Sequence, residues 1–188
     1  MASPDYELRY FQAASASLED YLLSKELYWM LHLTVPIGSP PYPPLTLDGL
    51  LLARARLHGY ALSGIQLSRF QNICAQMDAL RSRWRVAWEQ KAVRSFRSRL
   101  NLWRDFIDEY GANPSEHADR YPYEIRLRVM LQLLEYDAHP MIHAELELLE
   151  HLDGLLKSRL APGGFIWDAE LEKAFPADVY WYLYGLLP

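Results

Sequence analysis

Apolar positions along this chain recur mostly at the three-to-four-residue spacing of a helix face. Ser3 followed by Pro4 is a start signal, a capping hydroxyl and then a proline where no amide donor is needed. From there Leu8, Phe11, Leu18 and Leu22 step along one face, with a break expected near Ser15–Ser17. The apolar, aromatic run Leu27 to Val35 fits either a continuation of helix or a buried extended segment, and helix is favoured. Pro36, Pro40, Pro41, Pro43 and Pro44, with Gly38 and Ser39, then exclude helix and predict a stiff extended connector over 36–45. Thr46 restarts a helix with Asp48 near its positive end, and Gly59 closes it.

Between Ser63 and Tyr110 there is no proline, and Gly64 is the one glycine. Phe70, Ile73, Met77, Leu80, Trp84 and Trp88 form one stripe; Phe96, Leu100, Trp103, Ile107 and Tyr110 form a second, about a quarter turn away. The pattern predicts one long helix near 63–110 that either bends around Glu89–Arg94 or meets different neighbours at its two ends, stopped by Gly111 and Pro114. Pro122 opens a helix running through Asp137, and Pro140 opens the next, with Ile142, Leu146, Leu149, Leu152, Leu156 and Leu160 as its stripe. A short helix is expected after Asp168 and an aromatic one over 177–187. No alternating strand pattern and no internal repeat stand out. The expected fold is all-α, a bundle of five to seven helices in one domain over 1–188.

Composition adds limits. Cys74 is the one cysteine, so neither an internal disulfide nor a cysteine-based metal site can form, which fits a reducing, cytoplasmic setting. Asp5 and Glu7 precede any apolar run, unlike a signal peptide, and no apolar stretch is long enough to span a bilayer, so no membrane association is expected.

Charge changes the picture more. The net charge of −5 conceals a strong asymmetry. Residues 81–104 hold eight bases against Glu89 alone, whereas residues 105–188 hold sixteen acids against six bases. Arginine interleaved with Trp84, Trp88, Phe96 and Trp103 is one way to bind nucleic acid, with Arg94, Arg97 and Arg104 as the candidate polyanion contacts. The competing expectation, favoured because the chain is acidic overall, is that these arginines face the acidic helices of the same fold or of a second subunit. Ala55, Gly59 and Ile65 loosely resemble helix-turn-helix spacing, but Arg54, His58 and Ser68 fall where that motif is apolar.

On the helix opened by Pro140, His143, Glu147 and His151 are spaced by four, as candidate ligands for Zn²⁺ or another divalent ion. They lie beside the apolar stripe, and neither a His-Glu-x-x-His nor a Glu-x-x-His pattern is present, so a solvated row is favoured and no cofactor is predicted. Tyr180, Trp181 and Tyr184 are the candidate interface residues. Together these readings favour a non-catalytic binding or scaffold module, with a protein partner or a second copy of itself. A metal-dependent enzyme using the 143/147/151 row and a nucleic-acid-associated protein are the alternatives.

Overall fold

In the computed structural model, residues 3–34, 38 and 40–188 are described. Helix α1 (Pro4–Ala16) begins as the sequence implies, with the Ser3 hydroxyl accepting from the Tyr6 amide at 3.2 Å. The chain pauses at Ser17 and resumes as α2 (Leu18–Leu23). Helix α3 (Leu47–Gly59) is capped by Thr46, whose Oγ1 accepts from the Gly49 amide at 3.1 Å. Helix α4 (Gly64–Arg83) opens with a reciprocal capping box between Ser63 and Gln66. Then follow α5 (Arg85–Ala112), α6 (Pro114–His117), α7 (Tyr121–Glu124), α8 (Arg126–Ala138) and α9 (His143–Lys157). Six of these nine described helices have 13 residues or more, and the architecture is an all-α bundle. Among the described residues no helix is long and apolar enough to cross a membrane.

Helices α5 and α8 form the heart of the bundle and run antiparallel. Trp88, early in α5, meets Asp137 at the end of α8, while Phe106, late in α5, lies 6.4 Å from Tyr121, just before α8. Trp88, Phe96 and Trp103 of α5 and Val129, Leu131 and Leu134 of α8 are buried between them and their neighbours. Burial of such side chains is the main favourable contribution to folding, at about 1.5–3 kcal/mol each. Helix α3 packs on α1 and α8, and α4 leans on α1.

Several expectations need correction. The segment 27–34 is extended, not helical: Trp29 and Leu45 exchange both backbone hydrogen bonds, at 2.9 and 2.8 Å. Exposure alternates along it, with Leu27, Trp29, Leu31 and Leu33 half-buried and Tyr28, Met30, His32 and Thr34 exposed. That is the period of a strand, hidden because Tyr28 and Met30 are themselves apolar. Val35, at the end of that run, lies outside the described residues, as do Pro36 and Ser39 of the connector. From Pro40 to Pro44 the connector is extended and tied to α1, where the Tyr6 hydroxyl donates to the Pro41 carbonyl at 3.1 Å and the Tyr6 and Tyr42 rings stack.

The long helix near 63–110 is divided at Trp84 (φ −110°, ψ 38°), upstream of the bend expected at Glu89–Arg94. The Trp84 indole leaves the axis to donate to Glu19 of α2 at 2.9 Å, and Arg83 pairs with the same carboxylate at 3.4 Å. The helix expected from Pro122 is interrupted at Ile125, and Pro140 sits in a 3-10 turn (His139–Met141) before α9 begins. A 3-10 helix does follow Asp168 (Ala169–Ala174). The aromatic tail does not form a helix. It is a turn, a 3-10 segment (Trp181–Leu183) and a strand β2 (Gly185–Leu186), paired antiparallel with β1 (Ala161–Pro162). Tertiary partners take the carbonyls that a helix would use: Tyr182 accepts from the Tyr121 hydroxyl at 2.6 Å, Leu183 from the Ile166 amide at 3.0 Å and Tyr184 from the Gly163 amide at 3.2 Å.

Candidate functional site

The division at Trp84 sends α4 away from α8 and leaves a cleft of about 1000 Å³ between them. Each wall is a helical stripe. Asp78, Arg81, Ser82, Arg85 and Glu89 keep three-to-four-residue spacing across the division, and Gln132, Glu135, Tyr136 and His139 do the same along α8. Arg54 of α3 and Trp88 complete the lining. The polar stripe of α8 lies about a third of a turn round from its core stripe of Leu127, Leu131, Leu134 and Ala138, so burial of one fixes the direction of the other.

The charges in this cleft are mostly paired. Arg54 grips Asp78 with two parallel bonds at 2.8 and 3.1 Å, and Arg85 reaches Glu89 at 2.8 Å. Arg81 pairs with Asp137, whose second oxygen accepts from the buried Trp88 indole at 2.9 Å. The Arg81 guanidinium lies between two rings, 5.7 Å from Trp88 and 5.5 Å from Tyr136. Glu135 makes no direct ion pair among the described residues; it accepts from the Gln132 side-chain amide at 3.2 Å, and Gln132 in turn accepts from Arg128, on whose guanidinium the Glu135 charge acts through space. It sits in the last turn of α8, a turn with no basic residue, where the backbone carbonyls already concentrate negative potential. The Tyr136 ring beside it is 84% exposed, more than any other large apolar side chain described.

The residues singled out from sequence are arranged differently. Arg94, Arg97 and Arg104 share the outer face of α5, but Arg97 is paired with Glu145 at 2.6 Å and Arg104 with Asp105 at 3.1 Å, leaving Arg94 without an ion pair among the described residues. The rest of the basic segment is also engaged: Arg99 pairs with Asp48 at 2.5 Å, and buried Lys91 donates to the Glu26 carbonyl and lies over the Tyr21 ring at 4.2 Å. Burial, then the nearby charge of Arg94, pushes the Lys91 ammonium down to about 8, with Glu26 opposing the shift. Of these pairs Arg97–Glu145 sets an arginine against an acidic helix of the second half, as the favoured expectation has it, whereas Asp48 lies on α3 and Asp105 is the next residue of α5.

His143, Glu147 and His151 are exposed along one face of α9, and no three His, Cys, Asp or Glu side chains among the described residues converge as metal ligands. Tyr180, Trp181 and Tyr184 are half-buried and turned into an aromatic cluster of the chain itself. Tyr180 packs edge-on to Phe175 and Tyr182, Trp181 lies under the Lys157 ammonium at 4.8 Å, and the Tyr184 hydroxyl donates to the Phe175 carbonyl at 2.9 Å. Ile65, which a helix-turn-helix would bury, is 79% exposed, and Gly59 instead admits the backbone of Leu171, whose Cα would lie 3.0 Å from an added Cβ.

Glu135, Tyr136 and Asp137 did not stand out in the sequence. Their one signal was two acids in a helix's last turn without a base to offset them. No protein-family model, no curated protein and no solved structure matches this chain.

Proposed function

We propose that the chain is a non-catalytic binding module, acting in the cytoplasm, whose protein partner docks in the cleft between α4–α5 and α8. The observation that carries this reading is Tyr136: a large aromatic ring, 84% exposed, held in the wall of a cleft by the guanidinium of Arg81. Tyrosine buries much area at small conformational cost, which is why it concentrates at interface hot spots. A ring already braced by a neighbour loses little freedom on contact.

The other readings draw less support. One unpaired arginine on α5 offers little counterion release to drive polyanion binding. An exposed row along a single helix supplies too few convergent ligands for a metal. The test is site-specific photocrosslinking in cells, with p-benzoylphenylalanine in place of Tyr136, or in place of the exposed Tyr123 of α7 as control. A discrete protein adduct from position 136 and none from 123 is expected. The same adducts from both positions, or none from 136, would overturn the reading.

A further inference from the structure

We infer that the cleft recognises an arginine side chain presented by a polypeptide, stacked on the open face of Tyr136 and paired with Glu135. This rests on the cleft being a binding site and names what it binds. Three observations converge. Glu135 is the carboxylate of the cleft without a direct ion pair: Asp78, Asp137 and Glu89 are matched by Arg54, Arg81 and Arg85, whereas Glu135 is joined only through Gln132 to Arg128, a guanidinium already bonded to Asp153. It stands in the last turn of α8, which carries no basic residue of its own, so the carbonyl dipoles favour an incoming positive charge there. Next to it, Tyr136 offers a ring whose one occupied contact is with Arg81.

The cleft thus already contains one guanidinium stacked on Tyr136 and bonded to a carboxylate of α8. A partner's arginine would repeat that arrangement with the next carboxylate along the helix. Guanidinium suits this better than ammonium, because its plane stacks on the ring while its edge donates to Glu135. A polyanion has no such opening: the cleft's arginines are already committed to acids, and binding phosphate would strand Asp78, Asp137 or Glu89.

The experiment is a titration of the uniformly ¹⁵N-labelled full chain, read by amide and indole resonances. The probes are Nα-acetyl-arginine amide, its lysine and glutamate counterparts, and a short oligothymidylate. The arginine compound should shift the resonances of residues 132–139 and the Trp88 indole, binding more tightly than the lysine compound. Tyr136→Ala should weaken it about threefold, the scale of an exposed cation–π contact. Glu135→Gln should weaken it about threefold again, the scale of an exposed ion pair. Both side chains lie outside the core, so the variants keep the wild-type spectrum elsewhere.

Lysine binding equal to arginine, or arginine binding unmoved by both variants, would overturn the inference. If the glutamate compound or the oligothymidylate shifts these resonances instead, the cleft is a binding site of opposite preference, and the inference fails while the reading beneath it stands. If no probe shifts them, the inference fails as well, and the crosslink from position 136 decides the reading separately.

Discussion

Asp137 is where the integrity of the cleft can be measured. Its side chain is 10% exposed, with one oxygen on Arg81 and the other on the indole of Trp88, itself 1% exposed. In Asp137→Ala the indole N–H stays buried and loses its partner, a loss of about 1–3 kcal/mol. Arg81 is 35% exposed and keeps water and two rings as company, so its lost ion pair adds less than about 1 kcal/mol. Opposing both, a carboxylate one residue from the end of α8 faces the negative end of the helix, and removing it returns about 0.3–1 kcal/mol. The net expectation is a destabilisation of about 2 kcal/mol, which at this chain length lowers Tm by roughly 4–8 °C. Asp137→Asn keeps an oxygen for the indole and sheds the charge, so ion-pair loss and dipole relief nearly cancel and the change stays below about 1 kcal/mol. Urea unfolding followed by tryptophan fluorescence and by circular dichroism reads both. An alanine variant within about 0.5 kcal/mol of wild type would refute the reasoning, since a buried unpaired donor should cost more. Asparagine as damaging as alanine would show that the charge on Arg81, not the indole bond, organises this end of the cleft.

Other sites give further tests. Arg128 and Asp153 form a two-bond pair at 2.8 and 2.9 Å that ties α8 to α9, with the Arg128 side chain 7% exposed; Asp153→Ala should cost about 3–5 kcal/mol in urea unfolding by stranding that guanidinium. Gly59→Ala should cost about 1–3 kcal/mol in the same assay, because the added methyl meets the backbone of Leu171 at 3.0 Å as well as the side chains of Leu171 and Ala174. Lys91 titrates at about 8 in the fold against an ordinary 10.5, so between those values the unfolded chain holds more protons and stability rises with pH. Lys91→Met should flatten that rise in urea midpoints taken between about pH 7.5 and 9.5. Above about pH 10 the sign reverses for both proteins, because burial pushes Tyr21 and Tyr60 up to about 12 and the unfolded chain then loses their protons first.

Two helix starts were legible because their signals are local: Ser3 before Pro4, and Thr46 with Asp48 close behind. Apolar stripes were legible because they report burial directly, as Trp88, Phe96 and Trp103 do on α5. The failures share a cause, which is a long-range partner. Trp29 lies in an extended segment because Leu45, across the proline connector, completes its hydrogen bonds. The tail over 177–187 reads as a helix from its aromatic run, but Tyr121, Gly163 and Ile166 bind its carbonyls. Trp84 interrupts a helix free of proline because Glu19, sixty-five residues earlier, draws its indole aside. None of these partners can be read from the local spacing of apolar residues.

The same distance dependence governs the candidate site. The basic run over 81–104 and the acidic second half are conspicuous in sequence, yet the fold sets them against one another: Arg81 on Asp137, Arg97 on Glu145. Arg83 and Arg99 find their acids, Glu19 and Asp48, in the first part of the chain. Pairing of this kind uses up a charge pattern as a recognition signal, because an arginine already bonded to a carboxylate offers a ligand little. What remains for recognition is the residue the pairing misses. In the cleft that residue is Glu135, ordinary in sequence among sixteen acids and distinguished only once every acid around it has found a cation. Its value depends on the division at Trp84, which parts α4 from α8 and keeps Tyr136 open beside it. Relieving that division should therefore harm binding at Tyr136 before it harms stability. Glu19→Gln, which loses the Arg83 ion pair but keeps an oxygen for the Trp84 indole, should leave both nearly unchanged. Glu19→Ala, which loses both, should weaken arginine binding while costing no more than about 1–2 kcal/mol in urea unfolding. Equal binding by wild type and Glu19→Ala would show that the cleft is held open by the core packing of α4 on α1, and not by the indole of Trp84.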